Sequence, residues 1–198
     1  MRWLARGLAA GGFQVRCLGY AGVLGGPQAA LPALLRAMRG ADAVVAHSLG
    51  GLMTLEALQA AAGNGELDAM PARVVCLGSP LAGSSVASGL QRRRLGFALG
   101  RSRDLLLRGA ALAWAGNVQV GSVAGDRARG VGRALGGFSG PSDGTVLVEE
   151  TRWPGLADHV VVPASHSGLL MSAPALAQVV RFLREGRFSA VAAGRAFP

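Results

Sequence analysis

The sequence predicts an α/β fold, a mostly parallel sheet with helices on both faces, and three observations carry that prediction. Short apolar runs of strand length alternate with longer stretches of helical period. Breaks rich in Gly and Pro separate them, at Gly11-Gly12, Gly63-Asn64-Gly65 and Gly78-Ser79-Pro80. At 44–49 a buried strand, a serine and a helix follow one another with no loop between them. Parallel strands need a crossover, usually a helix, and alternation of this kind supplies one for each pair.

Taken in order, 3–10 reads as a helix stopped by Gly11-Gly12. The apolar run 13–18 reads as a strand. Leu31, Leu34, Leu35 and Met38 share one stripe of a helix over 27–38. A short buried strand is expected at 43–46, a helix at 49–62, and strands at 73–77, 118–124 and 160–163. A last helix covers 175–184. Two segments interrupt the pattern. The stretch 85–115 has helical composition without a strand partner and reads as an inserted cap. The stretch 125–143, rich in Gly, Arg and Ser, reads as a loop. No internal repeat or boundary divides the 198 residues, so 1–198 is expected to be one domain around one core.

Composition excludes several functions. The chain is 51% hydrophobic and 16% charged, which is globular rather than disordered. Its net charge is +9, and every basic residue is Arg, with no Lys. These Arg are scattered from Arg2 to Arg195, and the densest group, Arg92-Arg93-Arg94, is short. Without an aromatic-plus-basic motif, no nucleic-acid partner is expected. No apolar stretch reaches membrane-spanning length, and the first residues are too short and interrupted for a signal peptide. Cys17 and Cys76, each in an apolar run, read as buried strand residues in a reducing compartment, so a cytoplasmic location is expected.

The chemistry concentrates at Val44-Val45-Ala46-His47-Ser48-Leu49-Gly50-Gly51. A strand that turns sharply into a helix at a serine is the context of a nucleophile elbow. Small residues two before and two after the serine, here Ala46 and Gly50, let strand and helix approach. The helix N-terminus then lies under Ser48, where the Leu49 N–H can point at a developing oxyanion. A serine that merely caps a helix needs none of these neighbours.

Such a serine needs a base, and the chain has three His. His47 adjoins Ser48, so its side chain is expected to point away from the nucleophile. His159 opens the strand at 160–163, whereas His166 follows it, and functional groups gather at the carboxyl ends of strands. His166 is therefore the expected base. The acid should lie between Ser48 and His166. Asp104 sits among basic and leucine residues of the cap, and Asp158 precedes a strand. Asp126 ends the strand at 118–124, and Asp143 lies in the turn Pro141-Ser142-Asp143-Gly144-Thr145; position alone does not choose between these two.

These residues resemble the bacterial lipase and esterase branch of the α/β-hydrolases, including its PGAP1-like members. The similar stretches are Leu18-Gly19-Tyr20, the elbow, Leu77-Gly78-Ser79-Pro80-Leu81-Ala82-Gly83-Ser84, and Ser142-Asp143-Gly144-Thr145-Val146 with Ser165-His166-Ser167-Gly168-Leu169. The resemblance implies Asp143 as the acid, with Asp126 in reserve. It also implies a strand ending in His-Gly, and a loop with a second oxyanion donor, before the helix that here starts near Trp3. This chain carries neither, so it is expected to be truncated at its N-terminus, with an exposed sheet edge.

The function expected is cleavage of a carboxylic ester through an acyl-enzyme on Ser48, with no cofactor and no metal, since no His, Cys or carboxylate cluster has ligand spacing. The expected partner is a small-molecule or lipid ester. Leu95, Phe97, Leu99, Leu105, Leu106, Leu107 and Trp114 of the cap either line an apolar substrate site or simply pack onto the core. The competing expectation is a hydrolase-like protein that binds lipid or a protein partner without turnover. Amidase, thioesterase and acyltransferase chemistry use the same residues.

Overall fold

Four strands, β1 (Ala43–His47), β2 (Arg73–Leu77), β3 (Gln119–Gly125) and β4 (Asp158–Val162), form a parallel sheet in the order β1-β2-β3-β4. Among the described residues six α-helices accompany them: α1 (Arg2–Ala10), α2 (Gly26–Met38), α3 (Leu49–Gly63), α4 (Ser85–Arg92), α5 (Arg103–Arg108) and α6 (Ala173–Glu185). The structure is a computed structural model that describes residues 1–19, 26–110, 116–128 and 140–189.

The period of two along β2 builds both halves of the core. Val74 and Cys76 face a cluster with Leu52, Met53 and Leu58 of α3, joined by Met38 and Leu105. Val75 and Leu77 face the other cluster, with Leu4 and Leu8 of α1 and Val179 and Phe182 of α6. All four β2 residues are fully buried, as a strand covered on both faces requires. Close approach is made possible by Gly121 on β3, where an added Cβ would stand 2.5 Å from the Phe182 ring.

The strand expected at 13–18 does not form. Residues 13–19 run as coil, and Val15, Cys17 and Leu18 are exposed. Among the described residues no strand stands beside it to complete a ladder. A cleft of about 780 Å³ separates this segment from β1, bounded also by α1 and the end of α2. The segment is tied elsewhere: the Phe13 N–H donates to Leu8 O at 3.1 Å, and Arg16 Nη2 donates to Ala37 O at 2.6 Å.

β1 is consequently the outer strand of the described sheet. Asp42 O accepts from the Ala72 N–H, and the Ser48 N–H donates to Leu77 O. Since bonding direction alternates along a strand, Ala43, Val45 and His47 turn their N–H and C=O groups toward the cleft. Among the described residues no helix is long and apolar enough to cross a membrane.

Candidate active site

Ser48 is the single residue between β1 and α3, and it has φ 56° and ψ −127°. A positive φ in a residue with a Cβ costs about 1–3 kcal/mol, held here by the packing of strand and helix around it. The close packing shows at Gly51, where an added Cβ would overlap the Ser79 hydroxyl. Ser48 makes no capping bond with its side chain, unlike Ser84 and Ser172, which cap α4 and α6. Its Oγ stands instead 3.0 Å from His166 Nε2. Leu49 is the first residue of α3, so its N–H belongs to the set without intrahelical acceptors, at the positive end of the helix dipole.

His166 lies in the loop after β4. Its Nδ1 is 2.7 Å from Asp143 Oδ2, and its backbone N–H donates to Asp143 O at 2.9 Å. Asp143 is buried, and its other oxygen, Oδ1, accepts from the N–H groups of Thr145 at 2.9 Å and Val146 at 2.8 Å. A carboxylate held this way offers no proton, so Nδ1 is the donor and Nε2 is left to accept from the Ser48 hydroxyl. Gly78, at the carboxyl end of β2, makes room for the pair. A Cβ there would lie 2.9 Å from Asp143 Oδ2 and 3.2 Å from His166 Nδ1, and its φ of 53° is a conformation that favours glycine.

The other candidates lie apart. Asp126 is partly exposed and sits 3.6 Å from Arg127 Nε. Asp104 is exposed beside Arg103. Asp158 accepts from the His159 and Phe188 N–H groups. The His159 Nε2 bonds the Thr151 hydroxyl at 2.8 Å, and burial, then the nearby Arg152, lowers its pKa below the usual 6.5. His47 makes no bond to Ser48, but its ring is not idle: its centroid is 4.7 Å from that of His166, and its Nε2 is 3.0 Å from His166 O. Glu150 is a further residue the sequence did not single out. It is buried, and its carboxylate accepts from the Ser85 N–H at 2.5 Å and the Leu147 N–H at 3.0 Å. It thereby ties the start of α4 to the turn that carries Asp143. No sequence signal marks it, because Ser85 and Glu150 are 65 residues apart.

The cap segment forms α4, a 3₁₀ turn over Gly96–Ser102, and α5. Leu105 is buried in the α3 side of the core and Leu106 packs against it. Phe97 is 80% exposed, and Leu95 is also exposed. The leucines 105 and 106 thus pack the cap onto the core. Trp114, and Tyr20 of the first similar stretch, lie outside the described residues. Among the described residues no group of three His, Cys, Asp or Glu could hold a metal ion.

A parallel sheet whose outer strand turns through a strained serine into a helix, with helices on both faces, is the α/β-hydrolase fold. Solved structures bear this out. The phospholipase PlaB from Legionella pneumophila superposes with a TM-score of 0.63 at 18% identity, over 92% of this chain and 55% of its own. A carboxyl esterase of metagenomic origin gives 0.54 at 20% identity, over 71% of this chain and 50% of its own. The region in common is thus about half the length of each of these proteins. No family model and no curated protein matches the sequence.

Proposed function

We propose that the protein is a serine hydrolase that cleaves carboxylic esters. One observation carries the reading: His166 links the Ser48 hydroxyl at 3.0 Å to the buried Asp143 carboxylate at 2.7 Å. Ser48 Oγ bonds the acyl carbon while its proton passes to His166 Nε2, and Asp143 holds the imidazolium. The Leu49 N–H donates to the oxyanion. When the tetrahedral intermediate collapses, the alcohol leaves with the proton from Nε2. Water then repeats the sequence on the acyl-enzyme and frees the acid. Asp143 is the acid of this reading and Asp126 has no part in it. The chain works as a single domain with no cofactor or metal in the mechanism. Both cysteines are free, which supports a cytoplasmic location. Substrate preference is not assigned to the cap leucines, since Leu105 and Leu106 serve the core.

Hydrolysis of a short p-nitrophenyl ester, and labelling by a fluorophosphonate, are the tests. Both are expected, and Ser48→Ala is expected to abolish both. The cleft beside β1 supports a second reading, in which the chain binds lipid or a protein partner without turnover; an unlabelled Ser48 selects it.

A further inference from the structure

His47 stands one residue before Ser48, at the end of β1, and none of the chemistry above uses it. Its Nε2 meets a carbonyl oxygen, His166 O, at 3.0 Å. A carbonyl only accepts, so the bond requires the proton on Nε2 of His47. Burial, first among the causes, lowers the His47 pKa below 6.5, which keeps the ring neutral at pH 7. The ring also leans on that of His166, at 4.7 Å between centroids and 46° between planes.

The consequence concerns the backbone of His166. Its N–H donates to Asp143 O, and its C=O accepts from His47. Both polar atoms of that residue are therefore held, from opposite sides, by residues of different elements. With the peptide fixed at both ends, the Cα–Cβ direction is fixed, and Nε2 is aimed at Ser48. The ring contact limits rotation about the remaining torsions. A histidine on a loop would otherwise sample several rotamers, only one of which faces the serine.

We propose that His47 is a positioning residue, which clamps the His166 loop so that the strand presenting the nucleophile also sets the aim of its base. The inference rests on the reading of His166 as the base for Ser48. His47 must be neutral to serve: a charged ring there would add a second positive charge beside the imidazolium that His166 becomes during the reaction.

The test uses three variants of the full chain. His47→Gln keeps an N–H donor at nearly the same reach, His47→Leu keeps bulk without a donor, and His47→Asn keeps an amide that falls short of His166 O. Fluorophosphonate labelling of Ser48 and ester turnover are measured beside the melting temperature. Loss of the clamp is expected to lower the labelling rate and kcat about tenfold in H47L and H47N, with KM changed less than about twofold, as for one lost hydrogen bond expressed in the transition state. H47Q is expected to recover most of the rate. Wild-type rates in H47L or H47N overturn the proposal, and so does an H47Q as slow as the other two. Should H47L fail to fold, H47N against H47Q decides. If the wild type shows no Ser48-dependent labelling, the hydrolase reading falls, and the clamp is judged by proton NMR alone. The Nδ1–H resonance of His166, assigned by its loss in His166→Ala, is expected in wild type and H47Q and absent in H47L; its persistence in H47L overturns the clamp.

Discussion

Two pentapeptides of this chain are nearly the same. Val15-Arg16-Cys17-Leu18-Gly19 and Val74-Val75-Cys76-Leu77-Gly78 differ at one position. The second is the last four residues of β2 and the glycine of its turn, with those four strand residues fully buried. The first is exposed coil along the wall of a cleft. Equal local propensity has led to opposite outcomes, because a strand is a property of a pair. β2 has β1 and β3 on its two sides, and the first segment has neither partner. The one difference agrees with the outcome. Val75 points into the core of α1 and α6, a place where an Arg would need a buried partner, whereas Arg16 reaches Ala37 O at the surface.

The contrast is sharpest in thiol chemistry. Burial pushes the Cys76 pKa from 9.0 up to about 12, which lowers its thiolate fraction about a thousandfold near pH 8, before any steric protection. Cys17 is exposed. Iodoacetamide is expected to modify Cys17 at least a thousandfold faster than Cys76, read by peptide mass spectrometry; equal rates would mean that β2 opens as readily as the coil.

Stability comes next. Leu77→Ala removes a fully buried side chain and is expected to cost about 2–5 kcal/mol in urea unfolding. Leu18→Ala is expected to stay within about 0.5 kcal/mol, since that side chain is exposed. A large loss at Leu18 would show that the first segment docks as a strand in solution.

The two glycines give a smaller effect, visible in activity. Gly19 has open space where a Cβ would go, while Gly78 faces Asp143 and His166. On the hydrolase reading, Gly78→Ala is expected to lower kcat about 10²-fold by displacing Asp143 and His166, with Gly19→Ala indistinguishable from wild type. Comparable rates for the two variants would separate β2's turn from the site.

Smallest is a dependence on pH at two histidines, His47 at the end of β1, the strand that β2 holds in place, and His159 near the start of β4. His47 and His159 have lowered pKa values in the folded protein. Below pH 6.5 the unfolded chain takes up protons that the folded one refuses, so stability is expected to fall as pH drops from about 6.5 and to level off below the folded values. Above pH 7 it should be flat as far as these groups are concerned. His47→Gln is expected to remove part of the slope; stability rising toward pH 5 would contradict buried neutral histidines.

The parts legible in sequence were those set by local order. The switch from strand period to helix period at Ser48, with Ala46 and Gly50 beside it, marks the elbow without reference to anything distant. His166 follows a strand and His159 opens one, which is enough to send them to opposite ends of the sheet. Asp143 and Asp126 were not separable by position; their difference lies in a turn that folds back so that Thr145 and Val146 bond the Asp143 carboxylate. What remained illegible depends on which loops meet. Nothing in His47 foretells that a loop 119 residues later offers it a carbonyl. Glu150 is equally mute until Ser85 is beside it. The cap leucines illustrate the limit from the other side, since apolar character says that Leu105 will be covered but not by what.

The unpaired row on β1 also bears on how the protein behaves in a crowded solution. Among the described residues no backbone pairs with Ala43, Val45 and His47 on that side, and such a row is a template on which an extended chain can register, copies of this one included. Arg16, bound across to Ala37, stands at this opening, and a charge at an edge is a common guard against such pairing. Colloidal behaviour is thereby tied to a backbone feature: low salt, where the like charges of a +9 molecule repel most strongly, opposes the edge pairing that high concentration favours.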